Sequence, residues 1–491
     1  MKNIAITISV LLFFVLPDLG YSQSNQTTVT INATDVINNS YIGNGAQWDP
    51  YQLNYGKVKF KPSDINWQKL YSRLDFMRPQ FIRVMINTTS LIRNGKLDVT
   101  YNHFQMSKIL GYCQKHGVTV VFGDWGGHML NSKTNKINRK NLSYAARYVK
   151  YLIDNKGYTC IKYYNMVNEP NGYWSAADGN YHLWSRAISY FQKELVKEDI
   201  SNKVSIIGPD VAIWTKKETW WIDSTRTHLG NDIHLYDIHT YPSISTINSR
   251  KYSQIIKAYK KQVPPNNKIV ISELGIKFIA AEDSVLKREN YQRAKAKPYA
   301  STEDSQMFVY NYSYGIDIGE ALFQIVNEGF SGVNVWMLDD ALHSKGPKYK
   351  LKVWGFWNIL GNKFFGAKEE KVRPWYYAWS LLTKYMPTGS KIFKVNISGS
   401  RVINAIAAEK NNKYMLALIN ISSTNKMVKI QSSTLPKLSN VKEFIYSKGT
   451  LNKKGDHTIL PNKRIKKMDI QKGMMIDMNP RSIIVYTNYG Y

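Results

Sequence analysis

The sequence predicts an α/β protein, a closed (β/α)₈ TIM barrel carrying a smaller all-β sandwich domain. Three observations lead there. Eight short runs rich in β-branched residues recur between residues 42 and 336; each is followed by polar, Gly, Pro or acidic residues, and longer amphipathic stretches separate them. That alternation is the pattern of a parallel sheet with crossover helices. Beyond Met386 the helical pattern stops, and short strand-like runs separated by Asn, Lys and Gly turns take over, as in a sandwich.

The eight runs are Ile42 to Gln47, Phe81 to Ile86, Val118 to Phe122, Tyr163 to Val167, Val204 to Ile207, Leu235 to His239, Ile269 to Ser272 and Gly332 to Trp336. Their nearly continuous apolar character suits strands buried on both faces. Helices are expected over Asn102 to Lys115, ending at His116-Gly117, over Asn141 to Asn155, over Tyr181 to Lys197, and from Arg373-Pro374 to about Tyr385. Met386-Pro387-Thr388-Gly389 breaks that last helix. Val402 to Ala408, Tyr414 to Ile419, Met427 to Ile430, Val441 to Tyr446 and Ser482 to Thr487 then read as sandwich strands, and an early polar strand, Thr27 to Val36, is a candidate to pair with them. A chain of 491 residues has room for one large domain and one smaller one. The expected division is a signal peptide over 1–22, the N-terminal strand over 23–40, the barrel over 41–385 and the sandwich over 386–491.

The signal peptide rests on Lys2, the apolar run Ile4 to Leu16, and Gly20-Tyr21-Ser22, whose small residues suit a cut before Gln23. The mature protein is therefore expected outside the cytoplasm, secreted or periplasmic. The apolar run is too short for a bilayer of about 30 Å, so no membrane span is expected, and no cysteine near the cut suggests a lipid anchor. Two cysteines, Cys113 and Cys160, make no disulfide scaffold. Their buried settings suit two inert thiols better than one bridge.

The formal net charge is +30, and residues 386–491 hold 18 Lys and Arg against 5 Asp and Glu. Such a balance suggests nucleic acid first. Export argues against that partner, and the lysines are scattered singly. A sulfated or uronate-containing glycan, concentrated by a positive field, or simple solubility accounts for the charge instead.

In a barrel of this kind the reacting groups stand at the C-terminal ends of strands. Two such ends carry glutamates: Asn168-Glu169-Pro170-Asn171 after the fourth run and Ser272-Glu273-Leu274-Gly275 after the seventh. Two carboxylates across a barrel mouth are what glycoside hydrolysis needs, one to protonate the leaving oxygen and one to attack the anomeric carbon. In retaining enzymes they stand roughly 5–5.5 Å apart. At that distance their charges interact, so one carboxyl should be raised and hold a proton near neutral pH. Glu169 is the expected general acid/base, Glu273 the expected nucleophile, and Asn168 the expected donor to a sugar 2-hydroxyl.

With these motifs the sequence resembles the clan A glycoside hydrolases, retaining enzymes built on this barrel. The resemblance rests on Asn168-Glu169-Pro170 and Ser272-Glu273, and it extends to three further strand ends. It implies that Arg83, in Phe81-Ile82-Arg83, steadies the nucleophile. It gives His239 and Tyr241, in His239-Thr240-Tyr241, the clan's His-x-Tyr places, with Tyr241 hydrogen-bonded to the nucleophile, and it makes Trp336 the aromatic floor of the sugar site. Within the clan, Asn168 to Asn171 with a following sandwich looks most like the β-xylosidase/α-L-iduronidase family and its arabinofuranosidase and glucosylceramidase-like neighbours. Gly43 to Asp49 at the first strand departs from those patterns, which leaves the sugar open.

Further substrate contacts are expected by position: Trp125 and His128 after the third strand, Trp174 five residues past Glu169, and Gln47 and Trp48 at the first strand. An aromatic face suits the apolar face of a pyranose. Asp339, Asp340 and His343 form an acidic loop without an assigned role. No metal-ligand spacing and no Gly-x-Ser-x-Gly appear, so neither metal, cofactor nor serine nucleophile is expected. The reading is a secreted retaining hydrolase of O-glycosidic bonds in a neutral or anionic oligo- or polysaccharide. The alternative is a non-catalytic carbohydrate-binding or adhesion protein on the same barrel, for which an acid and a nucleophile together would serve no purpose.

Overall fold

The computed structural model describes residues 26–51, 54–55, 58–59, 61–101, 103–345 and 350–491. The expected signal peptide with its cut, and Asn102 at the head of the first expected helix, lie outside the described residues.

Eight parallel strands close a barrel in chain order: β1 (Gly43–Gln47), β2 (Phe81–Ile86), β3 (Thr119–Asp124), β4 (Ile161–Asn165), β5 (Ser205–Ile213), β6 (Ile233–Thr240), β7 (Lys268–Leu274) and β8 (Gly332–Val335). Every residue of β2 is buried, as expected of a strand covered on both faces. A major helix follows each strand: α1 (Asp64–Met77), α2 (His103–Lys115), α3 (Arg139–Lys150), α4 (Tyr181–Lys197), α5 (Thr219–Leu229), α6 (Lys251–Lys260), α7 (Tyr312–Asn327) and α8 (Pro374–Lys384). Local chemistry sets their ends. Ser63 and Asn66 form a capping box that starts α1, the Asn180 side chain accepts from the Leu183 N–H to start α4, and Pro374 opens α8 where its missing N–H costs nothing.

One strand runs past its expected end. The run from Val204 to Ile207 continues through Gly208-Pro209-Asp210 to Ile213. A bulge in the pairing with β6 absorbs Pro209, and Asp210 is the extra residue, with φ 58°. Proline is tolerated in a sheet at such a bulge, and the bulge turns the Asp210 side chain into the barrel.

Besides short two-stranded hairpins, a second, nine-stranded and mostly antiparallel sheet curls into a sandwich. The strand Thr27–Asn38 lies inside it, antiparallel to Lys391–Ser398 and parallel to Lys426–Gln431. Lys391–Ser398, Lys463–Met468 and Met474–Met478 are strands without a clear sequence signal, because their outward faces are polar and exposed. Val29, Phe393, Leu418, Val428, Val441 and Ile484 fill the interior between the two layers. The opposite face of Ile406, Ala417, Ile419 and Val485 joins the barrel core. Contact there is close. A Cβ on Gly315 of α7 would stand 2.3 Å from the Tyr446 hydroxyl, and Arg481 pairs with Asp317 of the same helix at 2.6 Å. Cys113 and Cys160 are free and buried. Among the described residues no helix is long and apolar enough to cross a membrane.

Candidate functional site

The barrel interior is layered. Ile42, just ahead of β1, with Phe81, Val121, Ile207, Leu235 and Val270, one from each of five strands, make an apolar floor with Tyr163. Two residues further along their strands stand Arg83, Asp237 and Ser272, all buried. Polar groups above a dry floor interact more strongly than they would in water.

Arg83 is the hub of this layer and is completely buried. One guanidinium nitrogen donates to Gln47 Oε1 at 2.8 Å and to Glu273 Oε2 at 3.1 Å. The other donates to Asn168 Oδ1 at 2.8 Å and Asp210 Oδ2 at 3.1 Å. A rigid planar fork suits such a junction. It leaves the Asn168 amide nitrogen without a protein partner among the described residues, hence available to a ligand.

Glu273 ends β7, where the register sets it beside His239 of β6. The Tyr241 hydroxyl donates to its other oxygen. Burial raises the Glu273 carboxyl above its ordinary range, His239 draws it down, the Glu169 charge adds to the rise, and Arg83 and the Tyr241 hydrogen bond oppose it. The raised partner is thus the residue expected to be ionised, and three neighbouring donors work to keep it an anion.

Glu169 stands just beyond β4 with φ 45°, in the left-handed region that a non-glycine residue occupies only at some cost. Its backbone N–H donates to Asp210 Oδ2 at 3.2 Å. This turn aims the side chain into the cleft, where Trp174 Nε1 donates to Oε2 at 2.5 Å and His239 Nδ1 lies 3.0 Å from Oε1. One oxygen of Glu169, one of Glu273 and a His239 nitrogen fall within 4.8 Å of one another.

His239 is fully buried, with Nε2 2.7 Å from Asp210 Oδ1. Burial disfavours its charge, but Asp210 and Glu273 outweigh burial and lift the imidazole to about 10. It is therefore an imidazolium at neutral pH. Burial works against the Asp210 charge too, yet His239 and Arg83 hold that carboxyl well below the usual range. Its neighbour Asp237, buried beside a like charge, is pushed well above. Glu169, His239 and Glu273, and likewise Asp210, Asp237 and His239, have cation-site spacing.

The cleft above has a volume of about 430 Å³. Tyr173, Trp174 and Trp214 form one wall, Trp125 and Trp336 line it further, and Lys277, Asp304, Lys345 and Lys352 form the wall near Glu273. Trp125 meets Trp336 edge-on at 6.2 Å, and His343 stacks on Trp336 while its Nε2 reaches Asp49 at 2.7 Å. Asp49 also accepts from both the Gln47 amide and the Met85 N–H.

Nine of the expected site residues line the cleft or contact one another beneath it: Arg83, Trp125, Asn168, Glu169, Trp174, His239, Tyr241, Glu273 and Trp336. Gln47 lies lower than expected, fully buried and committed at both ends to Arg83 and Asp49. Trp48 is a correction. Successive strand residues face opposite ways, so with Gln47 inward Trp48 points out and packs against Trp67 and Tyr112 in the helix layer. His128 is another, because the loop after β3 carries it to the exposed surface and it does not line the cleft. Asp339 and Asp340 are structural. Asp339 accepts from Trp357 Nε1 and the Ala341 and Ile359 N–H groups, and Asp340 pairs with Arg373, fastening the chain after β8.

Asp210, Asp49, Asp237, Trp214 and the lysine wall were not expected. Asp210 had a findable signal, an acidic residue near the end of a barrel strand. Gly208-Pro209 concealed it by reading as a turn.

Neither a protein-family profile nor the sequence of a curated protein matches the chain. Solved structures do match by shape. A GH30 endoxylanase from Clostridium papyrosolvens C71 superposes with a TM-score of 0.63 at 12% identity, over 94% of this chain and 99% of that one. A GH39 β-xylosidase from Caulobacter crescentus gives 0.57 at 10%, with 94% and 99% covered. A conserved exported protein from Bacteroides fragilis gives 0.61 at 13%, with 94% and 100% covered. The chain therefore has a TIM barrel with a β-sandwich domain whose fold, over nearly its whole length, is that of the clan A glycoside hydrolases of families GH30 and GH39.

Proposed function

We propose that the protein is a retaining glycoside hydrolase acting by double displacement, with Glu273 as nucleophile and Glu169 as general acid/base. The observation that carries this reading is the approach of one oxygen of each carboxylate to within 4.8 Å across an aromatic-lined cleft. So close an approach of the nearest oxygens accords with the short carboxyl spacing of retaining enzymes. Arg83 and Tyr241 fix Glu273 by its two oxygens. Glu169, tethered by Trp174, gives its proton to the departing glycosidic oxygen while Glu273 bonds to the anomeric carbon. Glu169 then takes a proton from the water that releases the sugar. In this reading Asn168 holds the sugar 2-hydroxyl and Trp336 stacks beneath the ring.

Two of the neighbours named above are an endoxylanase and a β-xylosidase, so aryl β-xylosides, glucosides and arabinosides form the first panel. Incubation with their 2-deoxy-2-fluoro analogues should leave one sugar attached to the peptide containing Glu273. A label elsewhere, or none with a substrate that is turned over, overturns the assignment. We further propose that the enzyme acts outside the cytoplasm after loss of residues 1–22. Amino-terminal sequencing of the exported protein, starting at Gln23, tests that.

A further inference from the structure

The lysine wall of the cleft is not required by the catalytic pair. Arg83 and the His239 imidazolium already face the two buried carboxylates Asp210 and Glu273. On the wall itself, Lys352 pairs with Asp304 at 2.8 Å and Lys345 with Glu303 at 3.3 Å. Asp304 is further engaged by Trp354 Nε1 at 3.2 Å. Lys277 is left over. Among the described residues its ammonium has no carboxylate at ion-pair distance; it lies 4.2 Å from the centre of the Tyr241 ring and 5.9 Å from that of Trp354.

Position gives this surplus charge its meaning. Lys277 lies four residues past Glu273 and rests on the ring whose hydroxyl holds Glu273. A group that met the ammonium would therefore stand one phenol ring from the reacting centre, within the span of the bound sugar. A half-buried cation resting on aromatic faces has lost part of its water shell, which strengthens its attraction for an anion entering the cleft. A neutral sugar would leave it only the longer-range pull of Asp304, a carboxylate that Lys352 already pairs with directly.

We propose that Lys277 marks a subsite for a negatively charged substituent of the substrate sugar, a uronate carboxylate or a sulfate ester, with Lys352 and Lys345 as flanking charges. The proposal deepens the glycosidase reading and rests on it for the cleft's purpose. It also moves charge recognition from the scattered lysines of the sandwich to one place in the barrel. Exposed groups such as Lys466 and Lys467 contribute a field that salt screens over about 10 Å, whereas Lys277 acts by contact.

The test is binding by the full chain carrying Glu169→Gln, so that turnover does not intervene, at physiological salt. The probes are polygalacturonate for the carboxylate arm, and chondroitin sulfate, heparin and a sulfated galactan for the sulfate arm. Each is measured beside its carboxyl-reduced or desulfated counterpart. At least one native polymer should bind ten-fold or more tightly than its neutralised form. Lys277→Met should abolish that preference while leaving affinity for the neutralised form within about two-fold, and Lys466→Met with Lys467→Met should leave the preference intact. The arm that responds identifies the anion. No preference for any native polymer, or a preference that survives Lys277→Met, overturns the proposal. Hydrolysis of glycosides by the wild type without any charge preference would sink this inference alone. A Lys277-dependent preference in a protein that hydrolyses nothing would sink the catalytic reading alone.

Discussion

Asp210 Oδ1 stands 2.7 Å from His239 Nε2, and both side chains are sealed from solvent. The opposite nitrogen of the same imidazole faces Glu169, and the second Asp210 oxygen accepts from Arg83 and from the Glu169 backbone. Asp210 thus touches the supports of both catalytic candidates without touching the cleft. Its charge fixes the protonation of His239, and its bulge fixes its own direction.

Removing that charge should alter pH behaviour as well as rate. Asp210→Asn leaves a buried imidazolium with one fewer anion, so His239 should titrate well below its raised value of about 10. The expected result is a 10- to 100-fold fall in kcat, roughly 1.4 to 2.7 kcal/mol, with the alkaline limb of the kcat/KM profile moved toward neutrality. A uniform fall with an unshifted profile would reduce Asp210 to a packing role.

The same imidazole makes a stability prediction with a definite sign. Its folded value, about 10, lies above the ordinary 6.5. The folded state therefore binds a proton that the unfolded chain releases between those values. This stabilisation is fully present below about pH 6.5 and is lost as pH rises through about 10. Tm should fall over that interval, and it should fall less steeply in His239→Gln. Proton NMR of the wild type should show no His239 midpoint between about pH 6 and 8.5.

Glu169→Gln and Glu273→Gln should each lower kcat by about a thousand-fold or more with the fold retained by circular dichroism. Added azide should partly restore Glu169→Ala on an aryl glycoside with a good leaving group, because such a substrate needs no protonation and azide needs no base. Glu273→Ala should gain nothing toward the retained product under the same conditions. Near-wild-type turnover in either Gln variant is incompatible with the assigned roles.

The stereochemical outcome is independent of these variants. Two displacements at one carbon restore its configuration, so the first-formed sugar observed by proton NMR should have the anomeric configuration of the substrate. Net inversion would exclude Glu273 as a nucleophile.

Tyr241→Phe should separate positioning from binding. The lost hydroxyl removes a hydrogen bond that helps keep buried Glu273 ionised, so the acidic limb of the rate profile should move to higher pH. kcat should fall about 10- to 100-fold with KM nearly unchanged, measured on a neutral aryl glycoside.

The sequence by itself determined the barrel, because strands buried on both faces must be written as apolar runs and crossover helices as 3.6-residue patterns between them. It also pointed to strand ends that the structure brings together at one cleft. Glu169 and Glu273 could be named because a parallel barrel puts strand ends on one face, and Arg83, His239 and Tyr241 because the motifs around them resemble those of the clan. Only the tertiary structure decided what lies one residue out of phase. The alternation at Gln47 sent Trp48 to the outer layer, and the loop after β3 took His128 to the surface. The bulge after Pro209 brought Asp210 under both glutamates, and a bulge has no periodic signature. Lys277 could not be singled out among the chain's 66 Lys and Arg, since nothing local distinguishes an unpaired ammonium from a paired one. That distinction depends on where Asp304, Lys352 and the Tyr241 ring come to rest, and those positions are set by loops from three different strands packing over one another.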